Sequence, residues 1–370
     1  MTEAFTEHFG ALRDHLPGQD LPWLADLRDR DLSQLGDLPA GAQLLPLSEQ
    51  LAADPDWLQA HLDKLNDSQL SPMLALNTAM MMNGFVLHLT RGTVLPHPVE
   101  VIHLGGAGDA PLAYHPRNLV VLEDGSQATL IEHFSHMGQQ AYLSNSMTEA
   151  SVGNGAILRH YKLQADALNA FHLATVQAEI GRDATYDSFV MTTGARLSRN
   201  EVSVRLNGEG ATCHLNGAYL VRGEQHCDNT TVVNHLVPNT TCREVFKGVI
   251  DDKARAVFQG KLKVHRDAQH TNGHQLSKVL LLSDRAEIDA KPELEIYADD
   301  VVCSHGATAG DLDHDALFYL RARGIPEVDA RSMLIEAFLG ESIDQIAAEG
   351  LCPALMTSIG HWLADSRREV

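Results

Sequence analysis

The chain has 370 residues, 44% of them hydrophobic, with 28 Lys and Arg against 49 Asp and Glu, giving a formal net charge of −21. This supplies ample material for a buried core, and a charged fraction of only 21% argues against a disordered chain. So acidic a surface makes nucleic acid or an anionic membrane a poor main partner.

The first residues, MTEAFTEHFGALRDH, have neither the basic start nor the apolar stretch of a secretory signal. No apolar run approaches the roughly 20 residues of a bilayer span. Cysteine usage points the same way. Cys213, Cys227, Cys242, Cys303 and Cys352 are odd in number, thinly spread and without a CxxC pair, which suits a reducing cytoplasm.

Residues 1–83 read as a helical region. Ser48 can cap a segment carrying Leu51, Trp57, Leu58, Leu62 and Leu65, and Pro55 divides it into two short helices. Pro17, Pro22, Pro39 and Pro46 mark loops. Residues 84–310 read as strands without an intervening helix. Val202, Val204 and Leu206 alternate with Ser203 and Arg205; Phe258, Gly260, Leu262 and Val264 share one parity; Leu294, Ile296 and Ala298 share another. A doubly wound α/β domain is excluded, because it must alternate strands with helices. A sandwich, a barrel and a β-solenoid remain. The near-regular intervals between Cys213, Cys227 and Cys242 favour the solenoid slightly.

Residues 311–370 return to helix. Asp313 is an N-cap for a helix carrying Leu317, Phe318 and Leu320 that stops at Gly324-Ile325-Pro326. Met333, Leu334, Ala337 and Phe338 form one face of a second helix that Gly340 ends, with further helical segments over 343–348 and 354–363.

Motifs for a phosphate-binding loop, a zinc protease, a serine hydrolase and a dinucleotide site are all missing; Gly105-Gly106-Ala107-Gly108 is a turn. The local feature with most chemical content is Cys303-Ser304-His305, directly after a strand pattern. In an extended chain Cys303 and His305 point to one face, and a thiolate beside an imidazole suits iron or zinc. Two ligands leave such a site open for a second protein to complete. The competing reading is a small buried thiol beside a polar strand end. His133, His136, His214, His226, His235, His265, His270 and His274 are solenoid-surface residues by default. Cys213/His214 and His226/Cys227 are adjacent on their strands, so each pair splits across opposite faces and cannot chelate one ion. Asp251-Asp252 and Asp299-Asp300 read as turns or strand ends.

The run Lys291-Pro292-Glu293-Leu294-Glu295-Ile296-Tyr297-Ala298-Asp299-Asp300-Val301, leading into Cys303-Ser304-His305-Gly306-Ala307-Thr308, resembles the SufB/SufD family of iron–sulfur cluster assembly proteins. So do Ala256-Val257-Phe258-Gln259-Gly260-Lys261 and Leu317-Phe318-Tyr319-Leu320-Arg321-Ala322-Arg323-Gly324-Ile325. The likeness is strong over about residues 228–340. Gly306, where SufB-like chains carry an acidic residue, places the chain nearer the SufD branch, with a SufB-like subunit as the variant reading.

The resemblance implies a right-handed parallel β-helix between two helical regions. It also implies a non-catalytic scaffold subunit that pairs with a SufB-like chain and docks a SufC-like ABC ATPase; the isolated chain could instead pair with itself. A nascent iron–sulfur cluster or iron would be held transiently near Cys303 and His305, shared with the partner. Phe318, Arg321, Ile335 and Phe338, within residues 313–339, would form the ATPase-docking face. Two alternatives stand against this reading. A β-helix enzyme acting on polysaccharide is disfavoured by an aromatic content of 5%. A metal-storage protein would use the histidines at large. The charge divides as −9 over residues 1–80 (13 acidic, 4 basic), −6 over 81–310 (25 and 19) and −6 over 311–370 (11 and 5), so the strand zone is nearly balanced between acidic ends.

Overall fold

The computed structural model describes residues 38–53, 55–65, 72–81, 83–106, 112–138, 140–348 and 350–365. The loops expected at Pro17 and Pro22, most of the N-terminal helical region, and Ala107 and Gly108 lie outside the described residues.

Two sheets, parallel except for the β1–β2 pair, stack into a solenoid of about eight coils. One sheet runs in the order β1 (Ala42–Pro46), β2 (Phe85–Leu89), β5 (Arg117–Leu122), β7 (Tyr142–Val152), β9 (Phe171–Ile180), β11 (Leu197–Leu206), β13 (His226–His235), β15 (Arg255–Val264) and β17 (Glu287–Ile296), with β4 (Leu112–Tyr114) beside β7. The other runs β3 (Val99–Gly105), β6 (Gln127–His136), β8 (Ile157–Gln164), β10 (Thr185–Thr192), β12 (Thr212–Val221), β14 (Thr241–Ile250), β16 (Asn272–Leu281) and β18 (Val302–Gly310). The chain crosses from one sheet to the other at each turn, so neighbours within a sheet lie one coil apart. Thr212 pairs with Thr241, Thr241 with Asn272, and Asn272 with Val302. The coil is therefore about 30 residues, and the near-regular cysteine interval is half of it. Cys213 and Cys242 stack on one sheet, with Cys227 on the other.

Alternation decides what enters the lumen. Along β11, Val202, Val204 and Leu206 are buried while Ser203 and Arg205 are partly exposed; β15 buries Phe258, Gly260, Leu262 and Val264. Leu294, Ile296 and Ala298 obey the same rule only in part. Ala298 is buried and Leu294 half-buried, but Ile296 is exposed, because β17 is the last strand of its sheet and nothing among the described residues stacks beyond it.

The lumen also takes polar groups, which hydrophobic alternation does not anticipate. Glu132 is held by His103 (2.9 Å), His160 (2.8 Å) and Asn118 (3.1 Å). Burial alone raises its carboxyl, but the two imidazoles outweigh that and keep it well below the carboxylate range. Lys162 hydrogen-bonds Asn200 at 2.5 Å, and burial lowers its ammonium to about 8.

Three short helices, α1 (Leu47–Ala53), α2 (Asp56–His61) and α3 (Pro72–Met80), belong to the same compact unit as the solenoid, Pro39–Asp311. Pro55 sits at the N-cap of α2, separating two short helices as its fixed φ requires. Ser48 is inside the first turn of α1, which starts directly after Pro46, so it is not the cap. Residues 42–46, read as part of a helical zone, form a strand. Their pairing is antiparallel to β2, and tertiary hydrogen bonding there overrides local pattern.

The C-terminal unit contains α4 (His314–Ala322), α5 (Glu327–Ile343) and α6 (Leu351–Asp365). The Asp313 side chain caps α4, accepting from the backbone N–H of Asp315 (2.9 Å) and Ala316 (3.0 Å), and Gly324 (φ +86°) follows its end. Asp313→Ala is expected to cost about 1 kcal/mol in this unit's stability, with Asp313→Ser restoring most of it, measured by thermal unfolding. Two expectations fail in α5. Gly340 does not end it, and no separate helix covers 343–348. A helix-interior glycine costs only about 1 kcal/mol, which packing against α4 and α6 offsets. Its buried face is Ala330, Ile335, Leu339, Ser342 and Ile343, whereas Met333 and Ala337 are exposed.

Candidate functional site

The solenoid unit ends on β18, and this places Cys303 and His305. Both β17 and β18 have a single strand partner among the described residues, β15 and β16. Cys303 stacks on Gly273 and, one coil further in, Cys242; His305 stacks on Gln275 and then Glu244. Gly273, Gln275, Cys242 and Glu244 are all buried, so Cys303 and His305 occupy the inward row of the terminal strand. Ser304 lies on the other face and hydrogen-bonds His274 at 2.6 Å.

Cys303 is half-buried against Val264, Ala268 and Ala298, and burial pushes its thiol up, an effect that the Gly273 backbone partly offsets. His305 is exposed, and Val302, at the start of the same strand, is 64% exposed. The terminal row thus offers one half-buried sulfur and one solvent-facing imidazole on the same side of a strand. Such a pair can bind a borderline or soft metal but cannot enclose it. Among the described residues, no three His, Cys, Asp or Glu side chains gather into a metal cluster.

The wall beneath that row was not legible from local motifs. The Cys242 thiol is pushed well up by its hydrogen bond with Cys213 and by burial, so it stays protonated. Burial raises the Glu244 carboxyl to about 8, against smaller opposing effects of Thr231, which donates to it at 3.0 Å, and Gln275. His235, at the end of β13, is fully buried and lowered by burial to about 4; its Nδ1 lies 2.7 Å from Thr240 Oγ1. The only sequence signal for this wall is the coil-length offset linking Cys242, Gly273 and Cys303.

The remaining sequence candidates separate. His133 is buried and its imidazole lowered to about 3 by burial, while His136 hydrogen-bonds Gly138 O at 2.9 Å. Cys213 and Cys227 are buried, with His214 and His226 turned the other way, as alternation requires. Asp252 is at a turn with φ +53°. In the helical unit, Phe318 is 74% exposed, Arg321 pairs with Glu327 at 3.2 Å and Phe338 is half-buried. Ile335 is 2% exposed and belongs to that unit's core, so unlike Phe318 it offers no surface to a partner. Tyr319, Val328 and Met333 are further exposed apolar residues of this unit, of which helical spacing had singled out only Met333.

Residues 104–338 match the SUF system FeS cluster assembly SufBD core domain, and residues 22–101 match the SufBD protein N-terminal region. An iron–sulfur cluster assembly SufBD family protein of Synechocystis is 34% identical over 87% of this chain and 72% of its own length. The iron–sulfur cluster assembly protein SufD of Escherichia coli is 34% identical over 81% of this chain and 71% of its own. The chloroplastic protein ABCI7 of Arabidopsis thaliana is 32% identical over 70% and 56% respectively.

Proposed function

The chain belongs to the SufBD family of iron–sulfur cluster assembly proteins, and we propose that it is a SufD-type, non-catalytic scaffold subunit. In this reading it joins a SufB-type subunit through the open solenoid end and docks an ABC-type ATPase through its C-terminal helices. The observation that carries it is the position of Cys303 and His305. They share the inward row of a terminal strand whose far side has no strand partner among the described residues, where no further metal ligands gather either, so a second chain can complete the site. The nascent cluster is cargo here, held between chains and passed on. The exposed Phe318 and Arg321, together with the partly buried Phe338, form the ATPase contact. Nucleotide-driven movement of those helices would favour one of two arrangements at the solenoid junction. The cytoplasm is the expected compartment, and no helix among the described residues is long and apolar enough to cross a membrane.

Reconstitution of clusters on the complex with SufB- and SufC-type partners tests the ligand claim. His305→Ala is expected to lower cluster yield while leaving co-purification of the three chains intact. An unchanged yield sinks His305 as a ligand, and failure to co-purify with either partner in the unsubstituted chain sinks the subunit reading.

A further inference from the structure

Gly273 leaves a notch in the lumen wall directly under Cys303. A Cβ built there would lie 3.5 Å from Cys303 Sγ, 3.8 Å from His235 Nε2 and 3.1 Å from Leu262 Cδ1. The thiol and the imidazole, brought from β18 and β13, thus flank one small space, less than a methyl group deep on the side that Leu262 closes. His235 is 0% exposed, and its Nε2 has no hydrogen-bond partner among the described residues. A buried polar atom left without a partner costs stability unless something occupies its vacant direction.

The hydrogen bonds around His235 indicate which form of the imidazole is present. Thr271 Oγ1 donates to Ala268 O at 2.8 Å, which uses its hydrogen. The Thr240 hydroxyl reaches Val237 O and Thr271 Oγ1, each at 3.4 Å. We assign the Thr240 hydrogen to that side, so that Thr240 Oγ1 accepts from His235 Nδ1–H at 2.7 Å. This arrangement satisfies both hydroxyls and leaves Nε2 as a bare lone pair on the nitrogen that lies 3.8 Å from the Cβ position at the notch. A metal-binding histidine has the same form: one ring nitrogen donates to a fixed outer partner and the other is free to ligate.

We propose that His235 Nε2 and Cys303 Sγ bind one divalent metal ion of borderline softness across the Gly273 notch, a site that rests on Cys303 acting as a ligand. Zn(II), Fe(II) and Co(II) all accept this nitrogen–sulfur donor set. The Cys303 proton leaves as the metal–thiolate bond forms, and the remaining coordination positions are left to water or to a neighbouring donor. Cys242 does not take part, because it remains a thiol hydrogen-bonded with Cys213.

The test is titration of the purified full chain with Co(II), read by the sulfur-to-cobalt charge-transfer band and by competition with Zn(II). One Co(II) per chain with a thiolate band is expected. His235→Ala and Thr240→Val should each weaken binding about tenfold or more. Gly273→Ala should do the same by filling the notch, with near-ultraviolet circular dichroism confirming the fold. Should His235→Ala fail to fold, Gly273→Ala and Thr240→Val decide. If Cys303→Ser abolishes the band while the His235, Thr240 and Gly273 variants keep the original affinity, the His235 proposal is overturned and Cys303 still stands as a ligand. If the band persists in Cys303→Ser, or none forms in the unsubstituted chain, both fall.

Discussion

Glu149→Gln is expected to destabilise the solenoid unit by about 3–5 kcal/mol, through the loss of one partner from a buried ion pair. Arg117 and Glu149 are both fully buried, and the Arg117 guanidinium donates to the Glu149 carboxylate. Arg117 also reaches Asn77 (3.4 Å), Thr78 (3.2 Å) and Asp63 (3.1 Å), but Asp63 is largely solvent-exposed and screens poorly. Glu149 has a second task. It accepts the backbone N–H groups of Asp63 (3.1 Å), Lys64 (3.2 Å) and Leu65 (3.5 Å), which anchors the left-handed turn at Asp63 (φ +61°) to β7. The amide keeps part of that hydrogen bonding but strands a buried guanidinium. Urea unfolding of the single and double variants separates the two contributions. Replacing both partners, Arg117→Met with Glu149→Leu, should recover the part of the loss that comes from the stranded charge, because no uncompensated charge then remains inside, but not the part that comes from the backbone N–H groups of Asp63, Lys64 and Leu65, which lose their acceptor. A single variant that unfolds at the unsubstituted midpoint overturns the assignment.

This pair shows where sequence reading stops. The alternation of Val202, Val204 and Leu206, or of Phe258, Leu262 and Val264, is visible in the chain because a strand's two faces repeat every two residues. The same rule put Cys303 and His305 on one face. The cysteine intervals carried the half-coil. Contacts between coils have no such local signature. Arg117 and Glu149 meet because β5 and β7 stack, and Gly273 opens a notch only because Leu262, His235 and Cys303 converge on it from three other strands. Ile335 is buried and Met333 exposed because α5 packs between α4 and α6, a choice that its own apolar residues leave open. The resemblance over residues 228–340 gave the architecture, and the vertical stacking that determines the wall of the site came only with the fold.

The second large effect concerns that wall and depends on pH. Glu244 is fully buried on the column that ends at His305, and burial raises its carboxyl to about 8. An acid whose folded pKa lies above its unfolded value of 4.5 leaves stability unaffected below that value. Its contribution is then lost as pH rises, because the unfolded chain ionises first and the folded chain must be held protonated. By pH 8 the loss amounts to about 4 kcal/mol. Buried imidazoles act in the opposite sense. His133 and His235, lowered to about 3 and 4, cost stability as pH falls below their ordinary 6.5. The total profile mixes these contributions, so the informative quantity is the difference between the unsubstituted chain and Glu244→Gln. That variant mimics the neutral acid and keeps an acceptor for Thr231. The two should be nearly equal in stability near pH 5, and the variant should pull ahead steadily towards pH 8, as followed by chemical unfolding at each pH. A constant difference across that range means that Glu244 is ionised in the folded chain. The column beneath His305 would then carry a negative charge at neutral pH, where the present geometry puts a neutral acid.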